Sequence, residues 1–218
     1  MLRMSSTADY DEPARIDRRA QRRLDTIEEI IDIAEALMAE EGVNGLTLSE
    51  VARRLGVKPP SLYKYFDSLH DIYDAVFRRG QQTNLEIMRT AMASADPGLP
   101  SLTAGLEASC RWSIAHPAIT QLMFWRPVPS FEPRPESMAP SSEMVSLQRQ
   151  ALTEAVSLGQ LGHGADTDEA LYFLSILISG LLGQAMANDP DEPWGRGRFT
   201  PLFPLLFNAL TKLYPPSA

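Results

Sequence analysis

The sequence predicts an all-α protein: a three-helix head containing a helix-turn-helix, followed by a C-terminal helical bundle, about nine helices in all. Three observations carry that expectation. Apolar residues recur at helical spacing through the long segments. Cap residues mark helix starts, and Gly or Pro marks the stops. One stretch, LYFLSILISGLLGQAMA, runs seventeen residues without a charge, too long for an ordinary strand.

Taken in order, residues 1–14 contain Pro13 and no periodicity, and read as a disordered tail. Arg15, Arg18, Arg19, Arg22 and Arg23 follow within nine residues. They are either the solvated start of a helix or an arm lying along a phosphate backbone, and the second reading makes Arg18, Arg19 and Arg22 candidate DNA contacts. The first helix, about Arg22 to Glu41, carries Ile27, Ile30, Ile31, Ala34, Leu37 and Met38 on one face, and Gly42 stops it.

The second helix opens with Thr47 three residues before Glu50, a capping box. Leu48, Val51, Ala52 and Leu55 share a face, and Gly56 suits the left-handed position that ends a helix. Pro59 and Pro60 fit the first turn of a third helix running to Phe66, because first-turn N–H groups have no intrahelical acceptor. Leu62 and Phe66 point inward, while Ser61, Lys64 and Tyr65 point elsewhere. Spacing alone leaves two readings open: a DNA-reading helix-turn-helix, or an ordinary helical hairpin in a core.

The segments AEEGVNGLT, LSEVARRLGV, PSLYKYF and SLHDIYDAVF, between about Arg23 and Phe77, resemble the N-terminal domain of TetR/AcrR-family transcriptional regulators. The chain has Lys58 and Pro59 where that family usually has Ser and Lys, and Leu69 where it usually has Lys. The resemblance implies a helix-turn-helix domain at 15–67 and a helical ligand-binding and dimerisation domain at 68–218. It implies that Tyr63 and Lys64 hold phosphates and that Thr47 contacts the DNA backbone. Lys58, Pro60, Ser61 and Tyr65 are then the candidates for base edges.

Past Phe66, Ser68 caps a helix with Asp71 at its third position, and Ile72, Val76, Leu85, Met88 and Met92 carry it to about Ser94. It is the only evident mechanical link between head and body. Further helices are expected at about Pro100 to Ala115 and Ala118 to Trp125, separated by His116-Pro117. Residues 127–140 hold five prolines and read as a stiff extended loop. Ser141 to Leu158, the uncharged segment after Asp168, and Leu202 to Leu213 complete the bundle. The uncharged segment reads as a buried helix rather than a membrane span: it lies at the short limit, contains Gln184 and has acidic flanks. Ser175, Ser179, Gly183 and Ala187 recur every four residues, a strip that admits close helix approach.

The stretch WSIAHPAITQLMFW resembles the C-terminal domain of a TetR subgroup, whose members bind small molecules here. Trp112, Met123, Phe124 and Trp125 then surround the break at His116-Pro117, with Phe173 and Leu177 across the bundle. His116 and Gln121 are the polar candidates. Either plain core packing or a pocket for a small, largely apolar ligand fits this pattern, with the proline-rich loop over its entrance.

The charge distribution suits this division. The chain carries a net charge of -8, yet residues 15–66 hold nine basic and nine acidic side chains, while ten basic face sixteen acidic ones from Asp67 on. Arg53, Arg54, Lys58 and Lys64 outnumber Glu50 within the helix-turn-helix, the local excess that phosphates feel. Cys110 is the sole cysteine, and residues 1–24 contain no apolar secretory core, so a cytoplasmic location is expected. No catalytic constellation, metal-ligand spacing or cofactor loop is found. The expected protein is a homodimeric regulator, foremost a repressor, that binds double-stranded operator DNA and is released by a small apolar molecule. The other class is a helical enzyme or interaction module that kept the fold without DNA binding.

Overall fold

α1 (Arg18–Glu41) buries Ile30, Ile31, Ala34, Leu37 and Met38 at the spacing the sequence shows, and turns at Gly42, whose φ is 79°. The computed structural model describes residues 18–216. The expected tail at 1–14 and Arg15 of the arginine run lie outside them. Among the described residues there are eight α-helices, four short 3₁₀ segments and no strand.

α2 (Leu48–Leu55) begins at Thr47, whose hydroxyl accepts the Glu50 N–H at 3.2 Å. The reciprocal half of the expected capping box does not form. The Glu50 carboxylate is held instead by Arg53, at 2.8 and 2.5 Å, and by Arg54, at 3.2 Å. Charge-assisted bonds to guanidinium groups outweigh one neutral backbone N–H. Gly56 ends the helix with φ 74°. Its N–H donates to Arg53 O, and the Val57 N–H donates to Ala52 O at 2.9 Å, the paired bonds of a Schellman turn.

The third element is shorter and tighter than expected. Pro59–Lys64 forms a 3₁₀ segment rather than an α-helix to Phe66, with Ser61 N–H donating to Lys58 O and Tyr65 N–H to Leu62 O, both at 2.8 Å. Two adjacent prolines supply no N–H, so the few remaining donors close i to i+3 turns in a run too short to relax. Leu62 is fully buried and anchors the segment.

α3 (Leu69–Ala93) starts at Ser68, whose hydroxyl accepts the Asp71 N–H at 3.2 Å. At 25 residues it extends about 37 Å. Its first half places Ile72, Tyr73, Val76 and Phe77 in the head core, and its second half places Leu85 and Met88 in the body core. Arg79 locks it to α1 through Glu28, Asp32 and Glu35, the last two at 2.7 Å.

The body comprises α4 (Leu99–Ala115), α5 (Pro117–Trp125), α6 (Ala139–Ser157), α7 (Asp168–Asn188) and α8 (Phe203–Leu213). α3 and α5 approach so closely at Gly80 that a Cβ there would lie 2.7 Å from Ile119 Cγ2. Ile119, Leu122 and Met123 of α5 therefore belong to the head core, which continues past Asp67.

The proline-rich stretch is not a plain extended loop. It contains a 3₁₀ turn at Pro135–Met138 and gives Pro140 to the first turn of α6, where a missing N–H costs nothing. Val128 and Phe131 insert into the head core, with Phe131 against Tyr73 at 5.8 Å and Phe77 at 6.4 Å between ring centroids. This strap and α5 join α3 in linking head to body, so α3 is not the sole link.

α7 is long and apolar enough to cross a membrane by length and composition. One face of it is buried, through Ala170, Leu171, Leu174, Leu181, Leu182 and Ala185, so the expected burial holds for that face and not for the opposite one. Tyr172 is 63% and Ile176 69% exposed. An apolar residue on every face leaves the outer face uncovered once the inner one meets α4 and α8.

Candidate nucleic-acid interface and ligand cavity

The helix-turn-helix presents its polar residues outward because Val51, Ala52, Leu62 and Phe66 fix its inner face. Thr47, Lys58, Pro60, Tyr63 and Lys64 are exposed and Ser61 is half-exposed. Tyr65 is different: it packs against the head core, and the Arg23 guanidinium lies over its ring, 5.4 Å from the centroid. Arg23 also donates a hydrogen bond to the Lys64 carbonyl. The start of α1 is thereby tied to the 59–64 segment, and an open groove between them is lined by Arg19, Arg22, Arg23, Lys64 and Tyr65. Arg19 and Arg22 are exposed in that groove, and Arg18 is exposed at the start of α1. The bridging role of Arg23 was not legible in the sequence, where it is one arginine of five.

The local basic excess is smaller than the sequence count. Arg54 makes a two-pronged pair with Glu40 of α1, at 3.0 and 2.6 Å, besides its bond to Glu50. Arg53 shares the same Glu50. Hydrogen bonds from Arg53, then Arg54, hold the Glu50 carboxyl down at about 2. Lys58 and Lys64 remain as the outward cations of the 58–64 stretch.

The expected ligand residues do not gather at His116-Pro117. Trp112 packs against the head core and stacks on His116 at 4.8 Å, and the His116 Nδ1–H donates to the Trp112 carbonyl at 2.8 Å. Met123 is buried opposite Gly80, Phe173 packs in the body core, and Gln121 and Leu177 are half-buried. Phe124 and Trp125 do line a cavity, one of about 250 Å³ between α3, α4, α6 and α7. Its other walls are Asn84, Met88, Leu106, Ser109, Met144 and Leu171, with Ser141, Gln148, Tyr172, Ser175 and Ser179 nearer the surface. The helix break re-aims α5 toward the head, so only its C-terminal end reaches this space. The strap packs Val128 and Phe131 on the head, and none of residues 127–140 lines this cavity.

Asn84 is 1% exposed, and its Oδ1 has no hydrogen-bond partner among the described residues. The same holds for Gln81 Oε1, one turn back on α3, and for Ser113 Oγ on α4. Each such atom costs about 1–3 kcal/mol when left unpaired. A signal was present in the sequence: Gln81 and Asn84 interrupt the apolar series Phe77, Leu85, Met88 on the buried face of α3. Cys110 is buried on α4, and desolvation pushes its thiol well above the ordinary range.

Comparison with known proteins agrees with this geometry. Residues 30–76 match the family model described as bacterial regulatory proteins, tetR family. Over 47 residues the chain is 43% identical to the biofilm operon icaADBC HTH-type negative transcriptional regulator IcaR of Staphylococcus aureus, covering 22% of this chain and 25% of that one. The chain thus spans about a quarter of that relative's length. Over nearly its whole length it superposes on a protein of unknown function from Rhodococcus sp. RHA1, with TM-score 0.73, 17% identity and coverage of 94% and 99%. It also superposes on the transcriptional regulator FadR of Bacillus subtilis, solved with stearoyl-CoA, with TM-score 0.69, 18% identity and coverage of 84% and 96%. At these identities the two superpositions establish the fold alone. The family match is thus confined to residues 30–76, the stretch that builds the helix-turn-helix on that helical fold.

Proposed function

We propose that the protein is a cytoplasmic transcriptional repressor that binds operator DNA as a homodimer and is released by a small, largely apolar molecule. The observation that carries this reading is the outward polar face of the helix-turn-helix, where Lys58, Ser61, Tyr63 and Lys64 stand clear of the core beside the arginine groove. Phosphate contacts from Thr47, Tyr63, Lys64 and the arginines Arg18, Arg19 and Arg22 position the head, and Lys58, Pro60 and Ser61 reach base edges. Tyr65 serves chiefly as the seat of Arg23.

Repression is read from IcaR, a negative regulator, through the matched head. The uncovered apolar face of α7, with exposed Leu205 and Leu213 on α8, supports dimerisation. Two heads are needed because one offers too few contacts for specific binding. The ligand enters the cavity beside Phe124 and Trp125, while Trp112, His116, Gln121, Met123, Phe173 and Leu177 serve packing. Release requires that the ligand bind more tightly to a state whose heads no longer match the half-sites, and operator must then weaken ligand binding by the same factor. No membrane or cofactor enters this scheme.

The decisive experiment selects bound fragments from genomic DNA and measures their affinity at two salt concentrations. A discrete operator with steep salt dependence is the expected result. Undetectable binding at low salt refutes the proposal in favour of a fold kept without DNA binding.

A further inference from the structure

The cavity between α3, α4, α6 and α7 carries no charged side chain in its wall. An ion placed there loses its hydration without a counter-charge, whereas a neutral molecule does not. Apolar surface dominates the interior, through Met88, Leu106, Met144 and Leu171. Into that surface α3 sets Asn84, almost wholly buried and with its Oδ1 unpartnered, and α4 sets Ser109. A carboxamide offers both an acceptor and donors, so it pairs with a hydroxyl, a carbonyl or an amide with equal facility. At about 250 Å³ the space suits a compact ligand, below the roughly 300–1,000 Å³ typical of sites for drug-sized molecules.

We infer that this cavity selects an uncharged, compact, mainly apolar molecule carrying one hydrogen-bonding group, and that Asn84 is the residue that recognises that group. The inference rests on the ligand-responsive reading above and deepens it by naming the ligand's chemistry. Asn84 also sits on the helix whose first half completes the head core, so the recognised group touches the element that spans both cores. An analogue lacking the group leaves the buried amide unpaired, which is how such a site discriminates.

The test titrates the full-length protein, without DNA, with three probes that share one ring system: naphthalene, 1-naphthol and 1-naphthoate. Calorimetry measures each affinity for the wild type, Asn84→Leu and Asn84→Ser. Circular dichroism verifies folding, and Asn84→Ser serves if leucine disturbs the packing. For the wild type, 1-naphthol is expected to bind more tightly than 1-naphthoate. The preference for 1-naphthol over naphthalene should fall roughly tenfold in Asn84→Leu, the worth of one hydrogen bond, while naphthalene still binds. Naphthoate binding as tightly as naphthol overturns the selection for uncharged ligands. An unchanged preference in both variants overturns the role of Asn84. Either result leaves a ligand-responsive regulator standing. Binding of none of the probes overturns the cavity as a ligand site, and the ligand half of the proposed function with it.

Discussion

The Ser137 hydroxyl donates a 2.8 Å hydrogen bond to the Asp74 carboxylate in a site where Asp74 is only 6% exposed. The other carboxylate oxygen accepts the Arg134 backbone N–H at 2.9 Å, and the Arg134 guanidinium pairs with Asp71 one turn earlier on α3. Three bonds thus pin the strap to the helix that crosses from head to body. Asp74→Ala leaves the Ser137 hydroxyl and the Arg134 N–H without their acceptor, and should cost about 2–4 kcal/mol. Asp74→Asn, which keeps one acceptor oxygen, should cost less. Urea denaturation of both variants measures the difference, and equal stability of wild type and Asp74→Ala would remove the strap from the structural account.

Glu50 supplies a pH signature of the head. Its folded carboxyl is depressed from 4.5 to about 2 by hydrogen bonds from Arg53 and then Arg54. For a depressed carboxyl the stabilisation is fully present above the unfolded value and disappears as pH falls through the folded one. Wild-type head stability should therefore decline between about pH 4.5 and 2, and Glu50→Gln should decline less over that window. Thermal melts of the two proteins at matched pH values test the sign. A steeper acid loss in Glu50→Gln contradicts the ion-pair assignment.

Cys110 should be inert in the native state. It is 1% exposed, and burial raises its pKa, so the reactive thiolate is both scarce and out of reach. Reaction with a thiol reagent at pH 8 is expected to be slow natively and to become rapid in denaturant. Fast native labelling would mean that α4 opens locally far more often than the packing of Leu102, Leu106 and Cys110 suggests.

Much of this was readable in the residues, for local reasons. Thr47, Gly56 and Ser68 act through their own or adjacent turns, so cap chemistry located α2 and α3 to within a residue. The 3₁₀ form of Pro59–Lys64 was harder, because proline at a helix start is compatible with either helix type. What could not be read was which faces meet across long sequence separations. Phe131 was hidden in a proline-rich run, yet it packs on Tyr73 and Phe77 some fifty residues earlier. Trp112 and Met123 have the composition of a pocket wall, but Trp112 at the end of α4 and Met123 on α5 both pack on the head. The cavity lies instead where Asn84 breaks the apolar face of α3, a pattern whose meaning depends on the neighbours it meets.

Lys64 and Arg54 should separate DNA contact from head stability. Lys64 is exposed at the end of the recognition segment, while Arg54 is held by Glu40 and Glu50. Lys64→Ala should weaken binding to every duplex and lower the salt slope by about one unit, with little change in melting temperature. Arg54→Ala should instead lower the melting temperature, since it releases two carboxylates in the head. Equal operator affinity and slope for wild type and Lys64→Ala would strike Lys64 from the phosphate contacts.

The outer face of α7 provides the test of assembly. Tyr172, Ser175, Ile176, Ser179 and Gly180 are all exposed, a stripe of two large side chains beside small ones at helical spacing. Such a stripe lets a second helix approach closely while Tyr172 and Ile176 bury apolar surface against it. A two-fold arrangement brings each Ile176 to the same self-complementary patch, so one substitution acts on both sides of the interface. Ile176→Glu puts two carboxylates into that patch and should yield a folded monomer in sedimentation velocity, where the wild type is expected to sediment as a dimer. Leu158→Glu, at an exposed leucine that caps the end of α6, should leave the dimer intact and controls for added charge. The monomer should also lose operator affinity far beyond the effect of any single phosphate contact, because each head then binds its half-site alone. A dimer that survives Ile176→Glu would move the interface off α7.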